Sequence, residues 1–446
     1  MGMHLTKNKL HQLFFYILIT LMLVFNGGNY DFYAQFNFIF LVILFLVCQK
    51  DINYKSHIKK FFLDNKKILI IYFIFLTYLI FQIIPLPMEF LKFFSPKKYE
   101  LLIDLETKDN FSSISLDTSK TFLSFFNYFS LIIYIIIFKS IFYKEKHIQR
   151  FYFYLTFLGF FSSFVAIYLY LIGNPNIFFI INDSYQNSST GFFVNRTVLS
   201  CFLVLCFFSG LEYLINIDSI KKKDHFYNKI YIRIFLLFIT IGIITSFSRL
   251  GNFLFISLIF FYFFKLKFLD KQKNNFLFYT LFFIIILDIF ILGFYFGGSR
   301  LLERFYFLKD ELIEYNNDIS LSFSISRSEL FKFGTLQINN FFFFGYGAGG
   351  YEILFKIYYP KVDYLYANHT HSDLLEFIGE FGIILSILIS YIAFYFLRKL
   401  NYRNIKTIYL IFFSIIILFF DFSFHIPLIQ IIFIIIIGIE NKKFNF

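Results

Sequence analysis

"ANHTHSDLLEFIGEFGIILSILISYIAFYFL", residues 367–397, changes character halfway along. Its second half is an unbroken apolar run, and the stretch 373–397 is long enough to cross roughly 30 Å of hydrocarbon. Its first half crowds His369, His371, Asp373, Glu376 and Glu380 around the mouth of that run. Ionisable groups are costly to desolvate, so a chain that places them where a membrane helix begins needs water or charged partners for them there.

The rest of the chain repeats the apolar half of this pattern. Hydrophobic residues make up 58% of the 446 positions and charged residues 16%, a balance that fits membrane-spanning segments rather than a water-soluble domain. The runs predict an all-α polytopic membrane protein, one integral domain over 1–446, with about twelve transmembrane helices. The expected spans are 10–27, 32–48, 68–87, 120–143, 150–172, 192–215, 230–248, 250–266, 276–296, 373–397, 405–422 and 425–440. The stretch "TSFSRLGN", 245–252, reads as a tight turn or as a kink in one long helix, and the length of 230–266 favours the turn.

Lys and Arg gather in the short loops on the N-terminal side of the bilayer, which predicts cytoplasmic termini. That asymmetry accounts for most of the net charge of +12. The basic residues are scattered over many short segments, so nucleic acid is not an expected partner. The first span lacks a small-residue cleavage site and reads as retained. Cys48, Cys201 and Cys206 fall inside apolar runs without ligand spacing, as buried small hydrophobes and not as a disulfide or zinc framework.

Polar residues collect on the opposite face, in loops at 88–119, 173–191 and 297–370. The last, between spans nine and ten, is long enough to be expected to hold structure and part of the active site. Within it "RLLERFYFLKDELIEY", 300–315, has the spacing of a helix lying on the membrane surface, and "SRSELFKFGTLQI" predicts a second helix from near Ser326. "NNFFFFGYGAGGYE", 339–352, resembles a phosphate-cradling loop only superficially, because no βαβ unit surrounds it. A tight turn bringing its backbone close to another group is the simpler reading.

On this face Arg196, Arg249, Arg300 and Arg327 are not explained by topology. Each can be a side chain snorkelling to the interface. For Arg249, between two apolar helices, an anionic partner is the better reading, and a guanidinium suits a diphosphate because it binds phosphate bidentately and stays charged. His371 is expected in the first turn of span ten, where the helix N-terminus would lower its pKa and keep it neutral. Ser372, Glu376 and Glu380 share one stripe of that helix. The plain alternative is a capping histidine with solvated glutamates, but the glutamates lie one and two turns into the membrane and call for a buried polar site. Asp288, deep in span nine, is the one residue that fits a transporter better.

At these positions the chain resembles the O-antigen ligase and polymerase family of membrane glycosyltransferases. "HSDLLEFIGEFG" is similar to the family's "HNxYLxxxxExG", with matches at His371, Leu375, Glu380 and Gly382, and with Ser372 and Leu374 departing from it. "SISLDTSKT", "GFFVNRTVLSCFL", "TSFSRLGN", "FFFFGYGAGGYE" and "DFSFHIPLIQ" resemble further family segments in the family's order, except that Thr197 and Phe343 replace an Asn and a Pro.

The resemblance implies a GT-C-like, inverting glycosyltransferase that needs neither metal nor cofactor. It would pass a glycan from a polyprenyl-diphosphate carrier to an acceptor hydroxyl, on a glycan or a lipid A core, at the periplasmic face of a bacterial inner membrane. Arg249 is the expected principal contact of the diphosphate, with Arg196 and Arg327 as helpers. His371 would orient and deprotonate the acceptor hydroxyl. Asn195, Glu380 and Asp421 are expected to support the site, Glu380 against an arginine or His371 and Asp421 between the last helices. A ligase and a polymerase of lipid-linked repeat units both fit. A lipid-linked sugar transporter is the reading of another class, opposed by the lack of an internal repeat.

Overall fold

A computed structural model describes residues 7–50, 52–106, 110–177, 185–218, 226–269, 279, 283, 327–360, 367–402 and 404–440. Within them the chain is a helical bundle. It opens with α1 (Lys7–Val24), α2 (Asp31–Gln49), α3 (Ile52–Asp64) and α4 (Lys66–Ile83). A polar excursion follows, made of α5 (Met88–Phe94) and α6 (Pro96–Asp104) flanked by a two-residue antiparallel pairing of Leu86 with Ser112 and Pro87 with Phe111. The bundle resumes with α7 (Thr118–Ile141), α8 (Glu145–Leu171), α9 (Arg196–Asp218), α10 (Phe226–Thr245) and α11 (Arg249–Phe264). After the described part of the long loop, α12 (Arg327–Asn340) and α13 (Tyr351–Tyr358), come α14 (Asp373–Lys399), α15 (Ile405–Phe420) and α16 (Pro427–Glu440).

Eight of the described helices are long and apolar enough to cross a membrane, and α1, α15 and α16 are shorter apolar helices. These eleven coincide with eleven of the twelve expected spans, so the protein is an all-α polytopic membrane protein. The span expected at 276–296 with Asp288, the surface helix expected at 300–315 and Arg300 lie outside the described residues. The segment 245–252 is a turn and not a kink. α10 stops at Thr245, Phe247 takes φ +49°, and Ser248 caps α11 by accepting the N–H of Gly251 at 3.1 Å.

α9 is the axis of the bundle, with 94% of its apolar window buried. It is apolar on every face, as a helix surrounded by other helices must be. Small residues let its neighbours approach: a Cβ on Gly159 of α8 or Gly242 of α10 would press on Cys206 or on Ser163 and Leu203.

The glycine-rich turn packs on α14. Helix α14 breaks at Gly382, whose φ of +68° suits a residue without a Cβ. The polar groups released there are taken by the turn: Tyr346 N–H donates to Gly379 O (3.0 Å), Gly347 N–H to Glu380 O (3.2 Å), and Ile383 N–H to Phe342 O (2.8 Å). A Cβ on Gly345 would strike the Glu380 carbonyl, so this glycine exists for a backbone-to-backbone approach. Its partner is a helix of the same chain and not a phosphate or a sugar.

Candidate active site

The loop 367–372 is pinned at three points to the helices around it. The Thr370 N–H donates to Glu376 Oε2 at 3.0 Å, the Ser372 hydroxyl to Leu418 O at 3.2 Å, and the Asp373 N–H to Asp421 O at 2.8 Å. Ser372 is the N-cap residue of α14, so His371 precedes the helix and does not sit in its first turn as expected. Its φ is +60°, uncommon for a residue with a side chain and a sign of a position fixed by its surroundings. Its pKa falls to about 3, the causes being burial first and then the positive charge of Arg327. The imidazole is therefore neutral, and its buried Nδ1 has no hydrogen-bond partner among the described residues.

His369, two residues earlier, is held differently. Its Nδ1 lies 2.7 Å from Glu376 Oε1, and its ring stacks on Phe422 with centroids 4.1 Å apart and an interplanar angle of 11°. A third histidine, His425, sits in the turn between α15 and α16 among three buried carboxylates. Its Nδ1 bonds Asp373, and its Nε2 lies 3.6 Å from Glu376 Oε1 and 3.5 Å from Glu380 Oε2. Burial by itself would lower the pKa of His425, but the carboxylates outweigh it and raise the pKa well above the ordinary value.

Glu376, Glu380 and His425 offer ligand atoms within 4.8 Å of one another, a set that could hold a cation. The same atoms already have other partners. Glu376 accepts from His369 and Thr370, and Glu380 Oε1 accepts the Gly349 N–H at 2.7 Å. A proton on His425 supplies the neutralising charge that a metal would.

Two cavities meet at this cluster. The larger, about 410 Å³, is lined by Asn195, His371, Phe422 and the α1–α2 turn. The smaller, about 150 Å³, is lined by Asn127, Glu376, Glu380, His425 and Gln430. Asn29, Asn368 and His369 line both.

The expected residues distribute around these spaces as follows. Asn195 caps α9, accepting the Thr197 N–H at 2.7 Å, and its amide donates to the Tyr185 hydroxyl at 3.2 Å. Arg196 places its guanidinium 5.2 Å from the centre of the Tyr185 ring. Arg327 opens α12, close enough to act on both His371 and Asp421. Arg249 opens α11 at the same end of the bundle, beside Ser248, whose hydroxyl donates to Thr197 at 3.2 Å. It does not line the larger cavity among the described residues. Glu380 faces His425 and the Gly349 N–H, and neither an arginine nor His371 among the described residues. Asp421 ends α15, accepts the Ser423 hydroxyl and, through its carbonyl, ties α15 to α14.

His369 and Asp373 are visible in the sequence only as members of the polar mouth, with no role of their own, and His425, Asn127 and the turn "NGGNYD" at 26–31 are not among the expected site residues. The signals were present. His369 stands in the same polar mouth as His371, His425 stands four residues after Asp421, and Asn127 is an amide inside an apolar run.

Fold and site together define a polytopic membrane protein with a polar, solvent-sized chamber buried at one end of its helices. Residues 234–390, from α10 to the middle of α14, match the family described as O-antigen ligase. Arg249, Arg327, His369, His371, Glu376 and Glu380 lie inside the match. No curated protein matches the chain. The match supports a membrane enzyme of the glycosyltransferase type, O-antigen ligase-like in its activity.

Proposed function

We propose that the protein transfers a glycan from a polyprenyl-diphosphate carrier to an acceptor hydroxyl, with inversion at the anomeric carbon, on the periplasmic side of a bacterial inner membrane. The observation that supports this reading most is the larger cavity. It carries a neutral buried imidazole, an amide at a helix N-terminus and no carboxylate among its described lining residues, with Arg327 acting on it from α12. Such a chamber accepts an anion and repels none.

In the proposed reaction the acceptor oxygen bonds to the anomeric carbon while the bond from that carbon to the diphosphate oxygen breaks. The electron pair leaves on the diphosphate. The guanidinium groups of Arg249, Arg327 and Arg196 stabilise the growing charge, so no metal is required. His371, neutral because it is buried beside Arg327, accepts a hydrogen bond from the attacking hydroxyl and orients it. Both termini lie in the cytoplasm in this arrangement, with the carrier's tail in the lipid beside the aromatic helices.

The test is transfer in membranes carrying His371→Ala or Arg249→Ala, with a chelator arm on the wild type. Each variant is expected to lose about 100-fold or more in rate at normal expression, and the chelator to have no effect. Undiminished transfer removes that residue from the mechanism, and inhibition by the chelator removes the metal-free reaction.

A further inference from the structure

Accepting glycan transfer as the reaction, we infer that the smaller cavity is the acceptor-sugar subsite and that His369, standing where the two cavities join, takes the proton of the acceptor hydroxyl.

The two cavities differ in charge in a way that sorts the substrates. The smaller one is lined by Asp31, Glu352, Glu376 and Glu380, against Lys120 and His425. A diphosphate is repelled there, whereas an uncharged sugar finds carboxylates and amides suited to its hydroxyls. Asn127 is the most telling of these groups. It lies within α7, a helix apolar enough to cross a membrane, where an amide without a partner is unfavourable. It nevertheless makes no side-chain hydrogen bond to any described residue and faces the cavity. A ligand hydroxyl would satisfy it.

His369 has the three attributes of a general base. Glu376 Oε1 at 2.7 Å holds Nδ1 as the donor, which leaves the lone pair on Nε2. The second oxygen of Glu376 is fixed by the Thr370 N–H and hydroxyl, and Phe422 fixes the plane of the ring. Nε2 has no partner among the described residues, and the side chain is 20% exposed at the shared opening. His371 lacks the first of these, and burial beside Arg327 makes it a weak base. The step balances: the oxygen–carbon bond forms, the carbon–diphosphate bond breaks, and the proton moves from the hydroxyl to Nε2 of His369 and on to solvent. Glu376 acts through His369 and is a positioning residue.

The groups facing His369 are Glu376 of α14, His371 of its own loop, and Asp421 and His425 of the α15–α16 turn. Of these, Glu376 alone contacts Nδ1, so it orients the ring most directly.

The experiment uses the purified full chain with lipid-linked glycan and acceptor extracted from the producing bacterium. It measures both transfer and the release of polyprenyl diphosphate. His369→Gln, which keeps a polar amide but takes up no proton, is expected to lower kcat for transfer about 100-fold or more with acceptor KM little changed. Glu376→Gln still accepts the Nδ1 hydrogen bond. It is expected to lower kcat about 10-fold while both KM values stay put, because the ring stays oriented but the imidazolium formed in the step loses an adjacent negative charge. Asn127→Ala is expected to raise acceptor KM about 10-fold while donor KM stays put. Transfer by His369→Gln within a few-fold of wild type, or a loss in both substitutions that falls on acceptor KM and not on kcat, overturns the assignment of the base. A rise in donor KM for Asn127→Ala overturns the subsite. A wild-type protein that neither transfers glycan nor releases polyprenyl diphosphate defeats the glycosyltransferase reading itself.

Discussion

The bundle buries charge at both ends, and the two clusters are built to opposite ends of design. At the end away from His371, Glu212 of α9, Lys406 of α15 and Glu440 of α16 form one ion cluster, with Tyr152 bonded to Glu440 and Tyr262 to Glu212. Among the described residues none of these five side chains has an orphaned polar atom. At the other end His371 Nδ1, His425 Nε2 and Asp421 Oδ1 are buried without hydrogen-bond partners among the described residues, and the two histidines line two cavities. A closed network of this kind holds helices in register. Orphaned donors and acceptors beside empty space are held ready for something that arrives later. Burial of charge in a membrane helix therefore does not mark a functional site by itself. What marks it is an orphaned ionisable group beside a cavity.

That contrast fails if the two clusters respond alike to mutation. The largest effect is expected from Lys406→Ala, which leaves Glu212 and Glu440 buried against each other. Thermal or denaturant unfolding should show a loss of about 3–5 kcal/mol, while transfer per folded molecule is unchanged. Next comes Arg327→Ala, an exposed residue at the start of α12. Its unfolding should match the wild type, and glycan transfer should fall about 100-fold, the usual loss for one group that stabilises developing charge.

The smallest effect belongs to His371. Its folded pKa of about 3 lies below the ordinary 6.5, so the unfolded chain takes up a proton first as the medium is acidified. The neutral His371 thus stabilises the fold fully above 6.5, and that contribution is lost as the pH falls from 6.5 toward 3. Unfolding midpoints of wild type and His371→Gln, compared over that window, should diverge in favour of the variant by about 1 kcal/mol one unit below 6.5. Parallel curves would mean that the imidazole is not desolvated.

Eleven of the described helices could be placed from the sequence because a membrane helix satisfies its backbone within its own segment. Length and hydropathy are then local quantities that need no knowledge of neighbours. The turn at 245–252 was legible for the same reason, since two crossings need an interruption. The site was only half legible. His371, Glu376 and Glu380 declared themselves because ionisable groups at the mouth of an apolar run are conspicuous. His369 stood beside them but nothing local distinguished it, as its role depends on Glu376 one side of the ring and Phe422 across its face. His425 was hidden more deeply. An imidazole near the start of an apolar helix is unremarked until α14 brings Asp373, Glu376 and Glu380 around it. The glycine turn was legible as a close backbone approach, but glycines do not name the partner, which only the packing on α14 supplied.

The sequence alone determined that this chain is a many-helix membrane protein with its polar chemistry gathered at one mouth, because spanning length and desolvation cost are properties of single segments. Only the packing of α7, α14 and the α15–α16 turn decided which imidazole stays neutral, which is ion-paired and which keeps a free nitrogen. Those outcomes depend on charges and burial contributed by residues distant along the chain, and electrostatic environment is a property of space, not of sequence order.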